Sequence, residues 1–173
     1  MRRPEPLPSI DDVRAQLAEG GITHVGVTSA DILVETRAEL FRRRDAGLHG
    51  EMGFTYRDPE RSTDPLRAVR GARSNIVAAK PYLPDHDPPH PGEPAGPQAR
   101  VGRYAWVDHY APLRIALRDV AKRIRRADQR AVAFADDNSI VDRAVAHRAG
   151  LGWYGKNTNL LLPGAGSWFV LGC

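Results

Sequence analysis

The segment from Pro84 to Arg100 limits most strongly what this chain can fold into. It holds six prolines and two glycines in seventeen residues. Proline has a fixed φ and no backbone N–H, so the segment excludes a helix and a central strand. A loop of this length inside a compact domain is a lid, a mobile insertion or a linker. Since neither flank has a complete core of its own, we predict one domain over residues 9–173 that contains this proline-rich loop.

Composition restricts the class of protein. The chain has 173 residues, a formal net charge of +4 and one cysteine, Cys173. One cysteine excludes an internal disulfide framework and a cysteine-only metal or iron–sulfur site within this chain, and the six histidines show no metal-ligand spacing. No apolar run approaches the roughly 18 residues that span a bilayer, and the N-terminus lacks an apolar signal core. We therefore expect a cytoplasmic protein with no metal site of its own and no membrane partner.

Hydrophobic periodicity predicts a mixture of helices and strands. Ser9, followed by acidic residues, is typical of a helix start, and Gly20 of a helix end. Ser29 is the expected cap of the second helix, and Pro112 the expected first residue of a later one. We predict helices at 9–19, 29–46, 65–69, 112–127 and 138–149, strands at 22–27, 75–82 and 131–135, and a β-hairpin at 160–171. This mixture predicts an α/β or α+β domain in which helices flank a small mixed sheet.

The segment from Gly150 to Asn157 matches two phosphate-binding patterns at once. It fits G-x-G-x-x-G and also G-x-x-x-x-G-K, with Asn157 where a P-loop has Ser or Thr. Both patterns place a glycine turn between a strand and the N-terminus of the following helix. Here the glycines follow a helix and precede a strand-like segment, so we reject both interpretations. What remains is either a glycine-permitted loop that contacts a large ligand or a helix C-cap followed by a turn.

Two acidic residues follow the strand predicted at 131–135. Ligands of α/β folds often bind at the edge of the sheet where strands end. A carboxylate that is half-shielded from water there can act as a general acid, whereas an acid that caps the next helix has only a structural role. We assign catalysis to Asp136 and capping to Asp137. We also expect the Asp136 side chain to be partly buried in a cavity beside the Gly150–Lys156 loop.

Basic residues recur along the outer face of the helix predicted at 112–127. They are Arg114, Arg118, Lys122, Arg125 and Arg126. Such a face can contact RNA phosphates, but an ordinary solvated helix face has the same composition. The preference for arginine over lysine is also typical of a GC-rich genome, so charge alone leaves both interpretations open.

Three segments resemble the epoxyqueuosine reductase family, the cobalamin-dependent enzymes of tRNA queuosine synthesis. The most specific segment is FADDNSIVDRAVAHRAGLGWYGKNTNLLLPGAGSWFVLG, at 134–172. The other two are RYAWVDHYAPLRIAL and YRDPERSTDPLRAVRGARSNIVAAKPYLP. Together the resemblance extends from about residue 9 to the last residue.

The resemblance implies a nitroreductase-like domain that binds cobalamin and faces the substrate. With 4Fe–4S clusters on a second, ferredoxin-like domain, such enzymes reduce epoxyqueuosine to queuosine in tRNA. By motif position, Asp136 would supply the proton. The cofactor contacts that the resemblance implies are Arg61, Tyr104, Ala105, Asp136, Lys156, Asn159, Leu160 and Leu171.

The sequence departs from the family pattern at three places. Val107 and Ala111 replace a glycine and a histidine, and Asp137-Asn138-Ser139 replaces serine-alanine-proline. The cysteine motifs for the clusters are missing, as expected if the sequence stops before the iron–sulfur domain, so an iron–sulfur domain or partner protein would have to supply electrons. Two alternatives to a reductase half stay open: a basic RNA-binding module without redox chemistry, and an inactive gene fragment.

Overall fold

Seven α-helices and two small sheets make up the part of the chain that the computed structural model describes, residues 3–83 and 101–173. The helices are α1 (Ile10–Ala18), α2 (Val34–Asp45), α3 (Gly53–Tyr56), α4 (Pro59–Ser62), α5 (Pro65–Ala68), α6 (Tyr110–Arg126) and α7 (Asp142–Arg148). A 3-10 turn covers Arg103–Ala105. The strands are β1 (His24–Ser29), β2 (Ser74–Pro81), β3 (Trp153–Tyr154), β4 (Leu160–Leu161) and β5 (Phe169–Gly172).

The strand β2 is the centre of the larger sheet and separates two layers of core side chains. It pairs antiparallel with β1 on one side and with β5 on the other. Successive residues of a strand point to opposite faces. Ala78 therefore packs among side chains of α1 and α6, while Val77 and Ala79 pack against α7. Because β1 and β2 precede the proline-rich segment and β5 follows it, one sheet joins the two flanks of that segment.

The predicted mixed α/β class is confirmed, but the direction of the strands differs from the prediction. All strand pairs among the described residues are antiparallel, whereas the sequence analysis predicts a mixed sheet. Hydrophobic periodicity indicates where a strand lies and not which way its neighbour runs. No helix in the described ranges is long and apolar enough to cross a membrane.

The predicted start of α1 is confirmed by its capping geometry. The Ser9 hydroxyl accepts a hydrogen bond from the Asp12 N–H, and the Asp12 carboxylate accepts one from the Ser9 N–H. This capping box satisfies two backbone donors that a helix N-terminus otherwise leaves without partners. After the helix, Gly21 adopts a φ of 71°, a left-handed conformation that glycine tolerates.

Two other helix starts differ from the prediction. The helix α2 begins at Val34 and not next to Ser29, because β1 continues through Ser29. The helix α6 begins at Tyr110, before Pro112, because the Asp108 carboxylate accepts a hydrogen bond from the Tyr110 N–H. Pro112 still lies in the first turn, where a missing N–H breaks no intrahelical bond.

The segment at 131–135 is not the regular strand that its sequence predicts. Within the described part of the chain, Ala135 forms an isolated bridge with Gly172, and Phe134 exchanges two backbone hydrogen bonds with Cys173, at 2.6 and 2.9 Å. The segment meets only Gly172, the last residue of β5, and Cys173 after it, so its ladder stops after this short stretch.

The hairpin predicted at 160–171 is wrong in its pairing. The strand β4 pairs with β3, whereas β5 pairs with β2. The turn itself does close, since Leu162 and Gly166 exchange backbone hydrogen bonds of 2.8 and 2.9 Å. Leu160 and Leu162 are each 1% exposed and anchor β4 in the core beneath α7. The predicted loop at 84–100 lies outside the described residues.

Candidate functional site

A polar pocket of about 370 Å³ opens where the first turns of α6 and α7 approach β4 and β5. Its lining residues are Tyr110, Asp142, Arg143, Asn159, Leu160, Ser167, Phe169 and Leu171. They come from four separate parts of the chain, and the fold brings them together. We refer to this site as the acid pocket, because its chemistry depends on carboxyl and phenol groups.

Asp142 is a half-buried carboxylic acid at the first position of α7. Burial raises its pKa, and the negative charge of Asp136 raises it further. A hydrogen bond of 2.6 Å from the Arg143 N–H to Asp142 Oδ1, together with the Arg143 charge, opposes this shift. The net direction is upward, so Asp142 keeps its proton to a higher pH than an ordinary aspartic acid does.

The charge of this carboxyl group acts on two tyrosines, Tyr110 and Tyr154. Burial raises the pKa of Tyr110, and the charges of Asp142 and Asp136 add to the shift. Burial also raises the pKa of Tyr154; the Arg143 charge opposes that shift and the Asp142 charge adds to it. Both phenols therefore stay protonated at neutral pH and can donate hydrogen bonds near Asp142.

Asp136 does not line the acid pocket, but its charge reaches two residues that do. Its charge acts on both Asp142 and Tyr110, although its own side chain is exposed. The expectation that Asp136 is partly buried is therefore wrong. The pairing with β5 ends at Ala135, and Asp136 lies in the following bend with a φ of 56°. Aspartate is among the few residues that adopt this left-handed conformation readily.

Three of the expected cofactor contacts, Asn159, Leu160 and Leu171, line the acid pocket. Tyr104 and Ala105 lie in the 3-10 turn before α6, where both side chains are exposed. They do not line the pocket, but their segment leads directly into α6. The structure therefore brings some of these residues together, and their contact with a cofactor stays a prediction.

Arg61 and Lys156 also lie outside the lining of the acid pocket. Arg61 is exposed in α4. The next residue, Ser62, accepts a hydrogen bond of 2.9 Å from the Val141 N–H through its carbonyl. That bond holds α4 beside the start of α7. Lys156 is exposed in the turn between β3 and β4, so both residues lie on segments adjoining the pocket.

An aromatic surface continues from the β5 side of the acid pocket. Tyr82 stacks on His109 with ring centroids 4.7 Å apart, and the Trp168 ring meets Tyr82 edge-on at 6.1 Å. The Arg103 guanidinium lies 5.5 Å from the Trp106 ring and 5.7 Å from the Trp168 ring. These contacts hold the exposed indoles of Trp106 and Trp168 in place at the protein surface.

The glycine motif forms the β3–β4 hairpin on another side of the acid pocket. A Cβ at Gly152 would lie 1.9 Å from the Leu161 carbonyl oxygen, so only glycine lets these strands approach. Trp153 and Tyr154 are 53% and 46% exposed in this hairpin. No helix follows the loop in the described chain, which agrees with the rejection of both phosphate-binding patterns. A role as a ligand-contacting loop stays a prediction.

Asp137 does not cap α7, which is the role that the sequence analysis assigns to it. Its Oδ1 accepts a hydrogen bond of 2.7 Å from the Ser139 N–H in a local turn. The helix begins only at Asp142. Ile140 is 6% exposed and packs in the core. The segment that brings it there is not helical, so α7 begins only after it.

Sequence reasoning missed four polar residues of the acid pocket: Tyr110, Asp142, Arg143 and Ser167. One usable signal is Asp142 itself, an acid six residues after Asp136 and in the first turn of the next helix. That spacing returns a carboxyl group to the same edge of the sheet. No comparable signal marks Ser167, since its position depends on which strand β5 pairs with.

The basic face of α6 is partly neutralised by its own surroundings. Arg114 lies 3.6 Å from the Asp108 carboxylate, and Lys122 lies 2.8 Å from the Asp119 carboxylate. Arg125 donates a hydrogen bond of 2.7 Å to a backbone carbonyl. These internal partners favour a solvated helix face over a surface for RNA phosphates.

Neither carboxylates nor sulfur form a metal site in the part of the chain that the structure describes. No group of three or more His, Cys, Asp or Glu side chains able to hold a metal ion occurs there. Burial raises the pKa of the Cys173 thiol to about 12, so this thiol stays protonated at neutral pH.

The α/β architecture with its small antiparallel sheet is the fold of epoxyqueuosine reductase structures. The structure from Streptococcus thermophilus superposes with a TM-score of 0.82 and 26% sequence identity, over 94% of this chain and 44% of its own. An epoxyqueuosine reductase crystallised with an epoxyqueuosine-modified tRNA stem loop superposes with a TM-score of 0.79 and 24% identity, over 94% of this chain and 44% of its own.

Sequence comparison also identifies epoxyqueuosine reductases as relatives. The epoxyqueuosine reductase of Gloeobacter violaceus is 37% identical over 169 residues, which are 95% of this chain and 51% of the relative. No protein-family model matches the chain. This chain is a homologue of the epoxyqueuosine reductases, and it spans about half the length of the curated relatives it matches.

Proposed function

We propose that this chain is the cobalamin-binding, substrate-facing half of an epoxyqueuosine reductase, which converts epoxyqueuosine to queuosine in tRNA. The observation that carries the proposal is the acid pocket, in which burial and the charge of Asp136 raise the pKa of both Asp142 and Tyr110. The homology suggests the reaction. The pocket offers the proton donors that such a reaction needs.

The acid groups of the pocket fit the proton requirement of the reaction. Removing an epoxide oxygen as water takes two electrons and two protons. Asp136 is the proton donor that the family resemblance implies, and its charge acts on Asp142 and Tyr110 of the pocket. Burial favours the protonated form of Asp142 by raising its pKa, so this residue can supply the second proton.

The residues around the acid pocket fit cobalamin in two respects. Exposed faces of Trp153 and Tyr154 on one side, and of Trp168 on another, offer apolar contact to a broad, flat group. The Asn159 amide and the Ser167 hydroxyl can exchange hydrogen bonds with the amide side chains of a corrin ring. When bound, cobalamin would supply the redox centre that carries electrons to the epoxide. The chain's own residues would hold the cofactor, orient the substrate and deliver protons.

The electron supply requires a second component. A 4Fe–4S cluster takes several cysteine ligands, and the sequence contains one cysteine. We assign the clusters to an iron–sulfur domain or partner protein. The macromolecular substrate is tRNA, in keeping with the stem loop bound to the homologous reductase.

Titration with cob(II)alamin, followed by its absorption spectrum, tests the cofactor assignment. The spectrum should change on binding, and Asn159→Ala should weaken binding by about tenfold through loss of a hydrogen bond. Asn138→Ala is the matched control, because Asn138 is exposed and does not line the pocket. The proposal is contradicted if the wild-type chain leaves the spectrum unchanged even when an iron–sulfur part of a relative is present.

A further inference from the structure

The four-residue helix α4 connects α2 to the start of α7, and the Arg37 side chain of α2 binds it. We propose that Arg37 is a positioning residue of the acid pocket. Through α4 it fixes the start of α7, and with it the place of the Asp142 carboxyl group. The link itself is geometric and holds for any reaction in the pocket, whereas its consequence for catalysis rests on the proposed function.

Carbonyl groups at the end of α4 bind other parts of the fold, because the last four carbonyls of a helix have no intrahelical donor. The Glu60 carbonyl accepts a hydrogen bond of 3.0 Å from Arg37 Nη2. The Ser62 carbonyl accepts one of 2.9 Å from the Val141 N–H. One short helix therefore connects the Arg37 side chain to the residue that immediately precedes α7.

Arg37 binds α4 a second time through a threonine that is shielded from water. Thr63 is 0% exposed. Its hydroxyl accepts a hydrogen bond of 2.8 Å from Arg37 Nε and donates one to the Pro59 carbonyl at the other end of α4. The Arg37 guanidinium also lies 3.9 Å from the Asp64 carboxylate. Because the N–H groups of a guanidinium form a rigid fork, Arg37 fixes both the position and the orientation of α4.

The start of α7 depends on its neighbours more than the start of a longer helix does. The helix has seven residues, too few to be stable alone, and among the described residues no side chain caps it. The hydrogen bond from the Val141 N–H to α4 holds the chain just before Asp142. Since Asp142 and Arg143 both line the acid pocket, a movement of α4 would shift both of them relative to β4 and β5.

A second arginine holds the opposite end of α7 and offers a matched comparison. Arg148 donates hydrogen bonds of 2.6 and 2.8 Å to the Ser29 and Asp31 carbonyls. It also donates one of 3.2 Å to the Thr28 hydroxyl. These bonds join the last residue of α7 to the end of β1, away from Asp142. Arg148 does not line the acid pocket, so it stabilises the fold without holding the start of α7.

The direction of the effect on Asp142 separates positioning from electrostatics. Burial is the largest cause of the raised pKa of Asp142, and the charges that act on this carboxyl group are those of Arg143 and Asp136. If Arg37 acted by its own charge, neutralising it would raise the pKa of Asp142 further. A loosened start of α7 instead admits water to the carboxyl group, which lowers its pKa towards the ordinary value.

Arg37→Met tests the proposal on the whole chain without added cofactor. Methionine keeps much of the apolar stem and removes both hydrogen bonds to α4. Amide hydrogen exchange at Val141 should become at least about tenfold faster, because its bond to Ser62 then opens more often. Exchange at Ala30 should stay unchanged. A carbon-13 NMR titration of the Asp142 carboxyl group, identified by its absence in Asp142→Asn, should show a lowered pKa.

Arg148→Met is the matched control and should give the reverse pattern. Exchange should become faster at Ala30, whose N–H donates to the Arg73 carbonyl between the two backbone groups that Arg148 holds. Exchange at Val141 and the titration of Asp142 should stay as in the wild type. A general loss of stability would move both amides in both variants, so this contrast isolates the link through α4.

Thr63→Val is a second variant that keeps the Arg37 charge. Valine is similar in shape to threonine and removes the hydroxyl between Arg37 and α4, so exchange at Val141 and the pKa of Asp142 should change in the same directions. This variant decides the question if Arg37→Met does not fold. Unchanged exchange at Val141, a raised pKa of Asp142, or the same changes in Arg148→Met would each overturn the proposal. No measurement here uses cobalamin or tRNA, so this inference and the proposed function can fail separately.

Discussion

Asp142 occupies a position where function and stability make opposite demands. A half-buried carboxyl group loses hydration, and the nearby charge of Asp136 makes its ionised form less favourable still. The fold offers only the Arg143 N–H and the Arg143 charge in compensation. Such a shifted acid, held in a cleft, is typical of a functional site.

The pH dependence of stability follows from this shift. The folded-state pKa of Asp142 lies above its ordinary value of 3.8, so the group favours folding below that value and loses this contribution as pH rises through the folded-state pKa. Asp142→Asn should therefore raise Tm at neutral pH by roughly 2–4 °C. Its advantage over wild type should shrink towards about pH 4.

Thermal melts across this pH range check the prediction. Asp31→Asn, at an exposed carboxyl group outside the pocket, is the matched control and should show no such trend. A variant Asp142→Asn that is less stable than wild type at neutral pH would show that hydrogen bonds to this carboxylate outweigh its desolvation.

The hairpin beside the acid pocket requires a residue without a side chain at Gly152. A Cβ there would overlap the Leu161 carbonyl, and a backbone atom cannot move aside as a flexible side chain does. We expect Gly152→Ala to destabilise the protein by about 1–3 kcal/mol, as overpacking typically does. Denaturant unfolding measures the loss.

Gly20→Ala provides the comparison for this substitution. The nearest atom to a Cβ at Gly20 lies 3.5 Å away, at ordinary contact distance. This variant should unfold within about 0.5 kcal/mol of wild type. Equal effects of the two substitutions would mean that β3 and β4 are not packed as closely as described.

At the level of single residues, the sequence predicts the site only in part. Asp136 could be found because an acid after an apolar segment has a recognisable pattern. Asp142 and Tyr110 become partners of Asp136 only after two helices pack against β5, and no local pattern carries that information. The burial of Asp136 was mispredicted for the same reason, since its exposure depends on where the pairing with β5 stops.

Among the helices, the start of α1 is governed by local chemistry and the start of α2 is not. Ser9 and Asp12 satisfy each other's backbone donors whatever the rest of the chain does. Ser29 has an equally suitable side chain, but pairing of β1 with β2 extends through this position. Tertiary pairing therefore overrides a local capping preference, and α2 begins at Val34 with no side-chain cap.

This difference predicts unequal effects of two serine substitutions. Ser9→Ala should destabilise the protein by about 1 kcal/mol, because it removes the acceptor of the α1 capping box. Ser29→Ala should change stability by less than about 0.5 kcal/mol, since the side chain is exposed and caps no helix. Urea unfolding of both variants measures the difference. A larger loss for Ser29→Ala would contradict the described start of α2.

The strands show which features of a sheet a sequence pattern predicts and which it does not. The pattern at 75–82 predicts β2 nearly in full, because a central strand is buried on both faces and reads as a continuous apolar run. The equally apolar segment at 131–135 stays irregular, because among the described residues only Phe134 and Ala135 pair with another segment. Apolar composition shows that a segment is buried and leaves its hydrogen-bond partner undetermined.

On the scale of the whole molecule, the α/β class follows from the alternation of helix-like and strand-like segments. The strand order β1-β2-β5 does not, because it depends on pairings between segments separated by the long proline-rich stretch. The same long-range pairing assembles the acid pocket, which combines the starts of α6 and α7 with β4 and β5. Fold class is thus more predictable from this sequence than the site.

The chain spans about half the length of the reductases to which it is homologous. In our account it provides the cofactor surface and the acids, while an iron–sulfur component provides the electrons. Under this proposal each half of the reaction is separately measurable, because cobalamin binding and proton delivery would reside on this chain and electron delivery on the iron–sulfur component.

Conversion of an epoxyqueuosine-modified tRNA stem loop tests this account most directly. The chain is combined with cobalamin, a reductant and the part of the Gloeobacter violaceus reductase that it does not match. We predict queuosine formation only when all components are present. We further predict a fall of roughly 10²–10⁴-fold for Asp136→Asn with cobalamin binding unchanged, the range expected for loss of a general acid. No conversion by a chain that does bind cobalamin, or full activity of Asp136→Asn, would contradict the account.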